Sequence, residues 1–296
     1  MARRSEAKAA QPSTTVSLFR IEPIHDLELP ELLPYRTMRQ SVDQYEQGLF
    51  VAEGEKVVRR LLESQFTVVS LLLPDRWVPV FEPLLKTRPE PDILVYTVSD
   101  KHVLEQLTGF SMFQGVLAVG KIPVHHTLPE ILARSARPRL FAAVEGLANA
   151  ENLGALVRNC AAFGVQALIV GETSSSPFLR RSVRNSMGTI FDLTVLETPG
   201  LLDTLRALRR EDFHCVAAHP RAPGKNVAQA DFTGDCCIVF GSEGHGLTPD
   251  VLDVCDEAVS IPMPPKVDSL NVGAAAAVFL YEANRQRGFA QLRFAI

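Results

Sequence analysis

The sequence lacks the features that mark membrane and secreted proteins. No apolar run reaches the roughly eighteen uninterrupted residues that a membrane-spanning helix needs. The first residues, MARRSEAKAAQPSTT, begin with basic side chains but have no apolar core behind them, which is not the pattern of a secretory signal. We therefore expect a cytoplasmic protein without a membrane partner.

Paired cysteines and metal-ligand spacings are also missing. The chain has five cysteines, an odd number, and no Cys-x-x-Cys pair. Most of them lie inside apolar runs, which indicates reduced, buried thiols and neither disulfides nor a zinc site. The seven histidines show no ligand spacing, and His125-His126 lies in a predicted linker. We expect no metal.

An overall excess of basic residues is absent as well. The net charge of −4 at pH 7 argues against a uniformly basic nucleic-acid coat, although it leaves room for a local basic face. Residues 173–191 contain three arginines and no acidic side chain. Arg180, Arg181 and Arg184 are therefore candidates for an RNA-binding face.

What is present is the pattern of a globular protein with two α/β blocks. A chain of 296 residues with 46% hydrophobic and 22% charged residues can form two ordinary domains. A proline-rich stretch separates the blocks and reads as a linker. We predict a disordered tail over 1–30, a small α/β domain over 31–122, a linker over 123–138 and a second α/β domain over 139–296.

Helix and strand patterns differ in regularity between the two blocks. In the first block they predict helices over 32–47 and 53–64 and strands over 66–73, 93–98 and 115–119. In the second block, strands alternate with helices so regularly that a mostly parallel sheet, covered on both faces, is expected. The predicted strands are 140–144, 166–170, 213–218 and 236–240, and the predicted helices are 152–163, 177–187 and 201–210. Two late strands end in loops beside a helix predicted to begin near Ser269, which favours a ligand crevice at the carboxyl edge of the sheet.

Three segments of the second block could carry chemistry. In Asn152-x-Gly154-x-x-x-Arg158, a glycine four residues before the arginine could leave room for a ligand; the alternative is a solvated arginine beside a close-packing glycine. The loop after the strand Cys236–Phe240 reads GSEGHG. It has three glycines, a carboxylate and no basic residue for a pyrophosphate, so it suits a neutral or cationic group, unless it is only a flexible turn.

The third segment is Ile261-Pro262-Met263 followed by Ser269-Leu270-Asn271. Ser269 is predicted to cap the last helix, which would place Asn271 in the exposed first turn beside free backbone N–H groups. The simpler alternative is that Ser269 is only a cap and that the following alanines are only core.

Together the three segments resemble a known family. The order N-x-G-x-x-x-R, F-G-S-E-G-x-G-L and I-P-M…S-L-N-V is similar to the three signature motifs of the SpoU-type (TrmH-like) RNA ribose methyltransferases of the SPOUT superfamily, over roughly half the chain. The front block, from F-V-A-E-G-E-K to F-Q-G-V-L-A-V, looks like the ribosomal-protein-like RNA-binding domain of that family. The resemblance implies a C-terminal parallel sheet with a deep trefoil knot, which composition could not reveal. It also implies a homodimer through the knotted domain.

The resemblance further implies a cofactor, S-adenosylmethionine, and a role for each motif residue. The residues that would hold the cofactor are Gly241, Ile261, Met263 and Leu270. The residues that would form the catalytic site are Asn152, Arg158, Glu243, Ser269 and Asn271. Arg158 would act on the ribose 2′-hydroxyl. Because arginine rarely gives up its proton, we favour a role in binding the adjacent phosphate and stabilising alkoxide charge, with proton acceptance as the alternative.

The sequence departs from the family pattern at two places, and other functions stay open. The loop 264–268 (PPKVD) replaces the usual glycine-containing turn, and Gly273 stands where serine is common. The alternatives are a base methyltransferase of the same superfamily, a non-catalytic RNA-binding or ribosome-assembly protein, and a small-molecule α/β enzyme. Ribosomal RNA is favoured over transfer RNA by analogy with the separate front domain.

Overall fold

A computed structural model describes residues 19–39, 45–112, 114–124, 126–222 and 224–290 of the chain. These residues form two α/β domains, each built on its own sheet. The front strands are β1 Phe19–Pro23, β2 Leu49–Glu53, β3 Val68–Pro74, β4 Ile93–Val98 and β5 Leu117–Lys121. The front helices are α1 Leu33–Arg36, α2 Glu55–Glu63, α3 Val78–Leu85 and α4 Lys101–Thr108.

The second domain follows a helix in the predicted linker, α5 Leu128–Arg134. Its strands are β6 Leu140–Val144, β7 Ala167–Val170, β8 Val195–Glu197, β9 His214–Ala218, β10 Lys225–Asn226, β11 Cys236–Phe240 and β12 Glu257–Ser260. Its helices are α6 Ala150–Ala162, α7 Arg180–Asn185, α8 Leu201–Arg210, α9 Pro249–Val254 and α10 Val272–Gln286. Short 3₁₀ turns lie at Pro30–Leu32, Asp75–Trp77 and Thr189–Asp192.

The second domain contains a seven-stranded sheet in the order β10-β12-β9-β11-β6-β7-β8. Every strand pair in it is parallel. The central strands β6 and β11 are buried along their whole length, because helices cover both faces of the sheet. The prediction of a parallel α/β sheet is confirmed. All the carboxyl ends of these strands therefore lie along one edge.

The front sheet is mixed, in the order β1-β4-β3-β5-β2. Strand β5 is antiparallel to both of its neighbours, whereas β1, β4 and β3 run parallel. The predicted disordered tail over 1–30 is wrong for Phe19–Pro23, which pairs with β4. This edge strand exposes most of its residues, so its sequence carries little apolar signal. Residues 1–18 lie outside the described residues.

The predicted polar helix over 32–47 is also wrong in its extent and character. In the described part, Leu33–Arg36 and residues 45–46 are α-helical and residues 37–39 form a turn, whereas residues 40–44 lie outside it. The segment is not a solvated helix, since Leu32, Tyr35 and Met38 are fully buried. The segment was predicted to be polar because it contains Arg36 and Arg39. Its structure is determined instead by the burial of its apolar side chains.

An aromatic cluster joins the two domains. Phe50 and Phe66 of the front domain meet Phe178 and Phe191 of the second domain, with ring centroids 5.3 to 6.1 Å apart across the junction. Phe50 and Phe178 are almost fully buried. Buried aromatic pairs at such distances contribute more than their buried area alone. The two domains consequently share one continuous apolar core.

A buried carboxylate reinforces the same junction. Glu53, at the end of β2, accepts hydrogen bonds from Arg180 and, at 2.7 Å, from Arg184, both on α7. Arg180 also donates to the carbonyl oxygen of Met38 at 3.2 Å and lies over the ring of Phe110. Only 11% of the Arg180 side chain and 7% of the Glu53 side chain are exposed, so this pairing is largely shielded from water.

A second polar contact crosses the junction at Tyr45. Its hydroxyl donates to Glu197 Oε2 at 2.9 Å. Burial, together with the nearby Glu197 carboxylate, raises the pKa of Tyr45 to about 12. The phenol therefore stays protonated and remains a hydrogen-bond donor across the physiological pH range.

The cysteines are unpaired, as the sequence predicts. Four of the five are buried and Cys255 is half-buried. Burial raises the pKa of Cys236 to about 11 and that of Cys215 and Cys255 to about 12. These thiols are structural because they carry almost no thiolate at neutral pH.

Among the described residues, no helix is both long and apolar enough to cross a bilayer.

The Glu53 pairing gives a stability prediction. Glu53→Gln should lower the free energy of unfolding by about 3 kcal/mol, because the shielded guanidinium of Arg180 then loses its carboxylate partner. Urea denaturation measures the change. Glu211→Gln, which removes an equal charge from an exposed position, should stay within about 0.5 kcal/mol of the wild type. Equal stability of the two variants would mean that the pairing contributes nothing.

Candidate active site

A cavity of about 320 Å³ lies at the carboxyl edge of the second sheet. It is formed where the neighbouring strands β12, β9 and β11 end and where α10 begins. This is the position at which open parallel sheets bind their ligands. We call it the edge cavity. It contains six of the residues predicted from the motifs: Gly241, Glu243, Ile261, Met263, Ser269 and Leu270.

The loop after β11 folds back tightly on itself. Ser242 and Gly246 exchange backbone hydrogen bonds of 3.2 and 2.9 Å, and the Ser242 hydroxyl accepts from the His245 N–H at 3.1 Å. A Cβ atom at Gly241 would lie 2.3 Å from the carbonyl carbon of Gly246, so only glycine fits there. The loop is thus an ordered turn that presents backbone to the cavity, and the flexible-turn alternative is not supported.

Three predicted catalytic residues meet beside the edge cavity. The Asn152 amide donates to Glu243 Oε2 at 2.5 Å, and the Asn271 amide donates to Glu243 Oε1 at 2.6 Å. Asn271 also donates to Asn152 Oδ1 at 3.1 Å. We call this set the amide–carboxylate network. It fixes the loop after β11 against the first turns of two helices.

The start of α10 differs from the prediction. Asn271, and not Ser269, is its N-cap: the Asn271 side-chain oxygen accepts from the Gly273 N–H at 2.9 Å. The helix begins at Val272, two residues later than a Ser269 cap implies. Ser269 stays exposed and lines the edge cavity. Both residue types cap helices well, so the sequence alone did not decide between them.

Gly154, the glycine of the first motif, is needed for helix packing and not for ligand binding. A Cβ atom at Gly154 would lie 2.6 Å from the carbonyl oxygen of Ser182 and 2.7 Å from Cβ of Asn185. Gly154 therefore admits the backbone of α7 and leaves no room for a ligand, as the close-packing alternative held. Gly273 acts similarly, because its added Cβ would lie 3.1 Å from the Cβ of Ala155 on α6.

Arg158 is the one predicted catalytic residue that the structure does not bring to the edge cavity. Its side chain is exposed and lines a groove between the domains, next to α2. Of the three arginines predicted to bind RNA, Arg180 and Arg184 are paired with Glu53, and Arg181 is exposed. Contact of these three with RNA stays a prediction, and Arg180, whose side chain is mostly shielded from water, has a structural role at the junction.

Sequence reasoning missed the contribution of β9 to the cavity. His219, Pro220 and Arg221, directly after this strand, line the edge cavity. Arg221 pairs with Asp268 of the 264–268 loop at 2.6 Å, and both side chains are well exposed. The available signal was the predicted strand over 213–218, whose carboxyl end had to reach the same edge in a parallel sheet. Such exposed pairs contribute little stability, so this contact can open readily.

A parallel sheet with a cavity at the carboxyl ends of its strands, bordered by a polar network, is the arrangement of an α/β enzyme that binds a ligand at that edge. The family is shown by comparison with known proteins. The chain belongs to the SpoU rRNA Methylase family, whose model matches residues 139–281.

Two relatives illustrate the similarity. An uncharacterized tRNA/rRNA methyltransferase of Mycobacterium tuberculosis is 31% identical over 90% of this chain and 92% of its own length. The 23S rRNA (guanosine-2′-O-)-methyltransferase RlmB of Shewanella oneidensis is 34% identical over 64% of this chain and 78% of its own. The first alignment spans both domains, so the similarity is not confined to the second.

Solved structures share the same fold. The complex of AviRb from Streptomyces viridochromogenes with AdoMet has a TM-score of 0.74 and 25% identity, covering 88% of this chain and 100% of that one. An RNA 2′-O ribose methyltransferase structure has a TM-score of 0.74 and 26% identity, covering 90% and 99%. An rRNA methyltransferase structure from Sinorhizobium meliloti has a TM-score of 0.77 and 23% identity, covering 90% of this chain and 98% of that one. At this identity it supports the fold alone.

Two glycines of the loop give a matched pair of variants. Gly241→Ala should lower the free energy of unfolding by about 2 kcal/mol, because its methyl group overlaps the backbone of Gly246. Gly244→Ala should stay within about 0.5 kcal/mol, since no heavy atom lies within 4 Å of its added Cβ. Urea denaturation of the two variants tests this difference. Indistinguishable stabilities would show that the turn yields easily.

Proposed function

We propose that this protein transfers the methyl group of S-adenosylmethionine to the ribose 2′-hydroxyl of a nucleotide in structured RNA, with ribosomal RNA favoured over transfer RNA. The observation that carries the proposal is the amide–carboxylate network beside the edge cavity, which brings together residues from three distant motifs. The printed activities of RlmB and of the 2′-O ribose methyltransferase structure support the choice of the ribose hydroxyl.

The edge cavity fits such a cofactor. Its wall combines the apolar side chains of Phe240, Ile261 and Leu270 with the exposed backbone of the loop after β11. Glu243 and Asp268 add carboxylates to its lining, which suit a ligand that carries a sulfonium and an ammonium group. When bound there, S-adenosylmethionine would supply an activated methyl group, so that alignment is a large part of the remaining task.

The protein's own residues then have separable tasks. Gly241, Ile261, Met263 and Leu270 would hold the cofactor. Glu243, fixed by two amides, would keep the loop in place. The ribose 2′-hydroxyl would lose its proton to solvent water as the new O–CH₃ bond forms and the S–CH₃ bond breaks, with S-adenosylhomocysteine as the leaving group. Arg158 would bind the adjacent phosphate and stabilise the negative charge that develops on the oxygen, because arginine side chains stay protonated in proteins.

The position of Arg158 calls for a second copy of the chain. In one chain it lies in the groove beside α2, away from the edge cavity. An exposed face of small and apolar residues runs along α10, where Val278 is 37% and Tyr281 52% exposed. Such a face on a regular helix suits a dimer contact. We infer a homodimer through this face of the second domain, in which Arg158 of one copy reaches the edge cavity of the other.

The knot expected from the resemblance is part of this proposal. A threaded segment 236–287 would place both cavity-forming loops, after β11 and after β12, against the same helix. The hydrogen bond that Asn271, at the start of α10, donates to Glu243 of the loop after β11 is consistent with such threading. The threading can be examined by cleaving the 264–268 loop with a protease and then testing whether the C-terminal fragment is released.

The reaction can be tested directly. The protein is incubated with unmodified total RNA and methyl-deuterated S-adenosylmethionine, and the nucleosides are analysed by mass spectrometry. We expect label in a 2′-O-methyl nucleoside. Arg158→Ala should reduce transfer by about a hundredfold or more while calorimetry finds the cofactor affinity unchanged. Label on a base would overturn the proposed chemistry, and cofactor binding without any transfer would favour the binding-only alternative.

A mixing experiment tests the shared site. Arg158→Ala and Glu243→Ala chains should each be inactive alone. After unfolding and refolding together, they should regain about a quarter of wild-type activity, since half of the random dimers would hold one intact site of two. Refolded wild type serves as the control. If both residues act within one chain, the mixture stays inactive.

A further inference from the structure

A second cavity, lined by Arg158, lies between the two domains. It has a volume of about 590 Å³. Helix α2 of the front domain forms one wall, and the end of α6 with the residues after α7 forms the other. We call it the interdomain groove. Arg158 lines it, so the groove begins at a residue to which the proposed function already gives a role.

The groove is locally basic in an acidic protein. Four cations, Lys56, Arg59, Arg60 and Arg158, line it, whereas only Glu63 and Asp192 are acidic there. The whole chain carries a net charge of −4. A local concentration of cations against the overall charge is the electrostatic footprint of a site for an anion.

Three of the four cations are available to a ligand. Lys56 and Arg158 are exposed, and among the described residues neither has a hydrogen-bonding or ionic partner. Arg60 donates to the carbonyl oxygen of Met187 at 3.1 Å, which orients its guanidinium without neutralising it. Arg59 is paired with Glu55 on its own helix at 2.8 Å. Lys56, Arg60 and Arg158 therefore supply unbalanced positive charge to the two walls.

The lining favours a phosphodiester backbone over a stacked base or a small apolar molecule. None of its described residues is aromatic, so a base would find no ring to stack on. Long cationic side chains on both walls are the groups that contact phosphates in protein–nucleic acid complexes and fix the register of the strand. The groove is suited to a chain of phosphates that passes between the domains.

The groove is held open by the packing beneath it. Gly188, with φ of +80°, lies under α2, and an added Cβ there would approach Cα of Val57 to 3.3 Å. The Glu53 pairing and the aromatic cluster join the same two walls. The distance between the α2 cations and Arg158 is thus set by the folded protein, which lowers the entropy cost of binding an extended ligand.

We propose that the interdomain groove binds the RNA phosphodiester backbone next to the methylated nucleotide, with Lys56 and Arg60 on one wall and Arg158 on the other. This inference rests on the proposed function. It gives the front domain a defined task, which is to carry the strand along α2 to the arginine at the methylation site. In the dimer, the groove of one copy would lead into the edge cavity of the other.

The test compares charge-neutralising variants on matched positions. Lys56→Gln and the double variant Lys56→Gln/Arg60→Gln remove groove cations. Arg76→Gln removes one exposed cation of the front domain that does not line the groove. Binding of a fluorescein-labelled single-stranded oligoribonucleotide is measured by anisotropy over a range of salt concentrations. Because Arg60 also contacts Met187, the single Lys56 variant keeps the test valid if the double variant is unstable.

The expected result is weaker RNA binding with a smaller dependence on salt. The slope of log affinity against log salt should fall by about 0.7 for Lys56→Gln and about 1.4 for the double variant. Arg76→Gln should match the wild type, and calorimetry should find the affinity for S-adenosylmethionine unchanged in all three. A slope and affinity equal to those of Arg76→Gln would overturn the groove.

The two proposals fail separately. In the methyl-transfer assay, the groove variants should raise KM for RNA and leave kcat nearly unchanged, because they touch neither the cofactor nor the reacting atoms. If RNA binding depends on Lys56 but the wild type transfers no methyl group, the proposed function would be overturned and the groove would stand. If the wild type methylates RNA and the double variant does so with the same KM and kcat, the proposed function would stand and the groove would be overturned.

Discussion

The hydrogen bonds that Glu243 accepts from Asn152 and Asn271 are the constraint on which the candidate site depends. Asn152 lies in the first turn of α6 and Asn271 caps α10, so one carboxylate faces the positive ends of two helices. The same two helices are joined by the Asn159 amide, which donates to the carbonyl oxygen of Gly273 at 2.6 Å. The loop after β11 is thereby held by backbone geometry as well as by side chains, which is what a site built for alignment requires.

Three elements of the second domain were predicted to the residue, whereas its other predicted elements differ at one end or both. Leu140–Val144, Leu201–Arg210 and Cys236–Phe240 have the predicted bounds, because each is a strongly periodic or fully apolar segment with clear stop signals. The prediction failed at Phe19–Pro23 and over 32–47, where structure depends on pairing with β4 and on burial of a few apolar side chains. Those contacts are distant along the chain and leave no local period.

At the site, three of the five residues that the resemblance assigned to catalysis contact one another, while Arg158 lies apart, and the manner of the contact was not predicted. Asn152, Glu243 and Asn271 are brought together, yet Asn271 became the cap because its oxygen reaches the Gly273 N–H. Arg221 was missed because the strand order that places β9 between β12 and β11 cannot be obtained from the sequence. Residue types were therefore informative about chemistry, whereas the spatial order of the parallel strands decided which loops share the cavity.

The separation of Arg158 from this network follows from helix geometry. Asn152 and Arg158 are six residues apart on α6, which places them about a third of a turn from each other around the helix. The face with Asn152 and Asn159 meets α10, while Gly154 packs on α7 and Arg158 turns toward the front domain. A methyl displacement needs its nucleophile and leaving group on opposite sides of the carbon. Since Asn152 and Arg158 lie on different faces of α6, the proposed homodimer offers a way to complete the site, in which Arg158 of a second chain would approach the methyl group from the side opposite the cofactor.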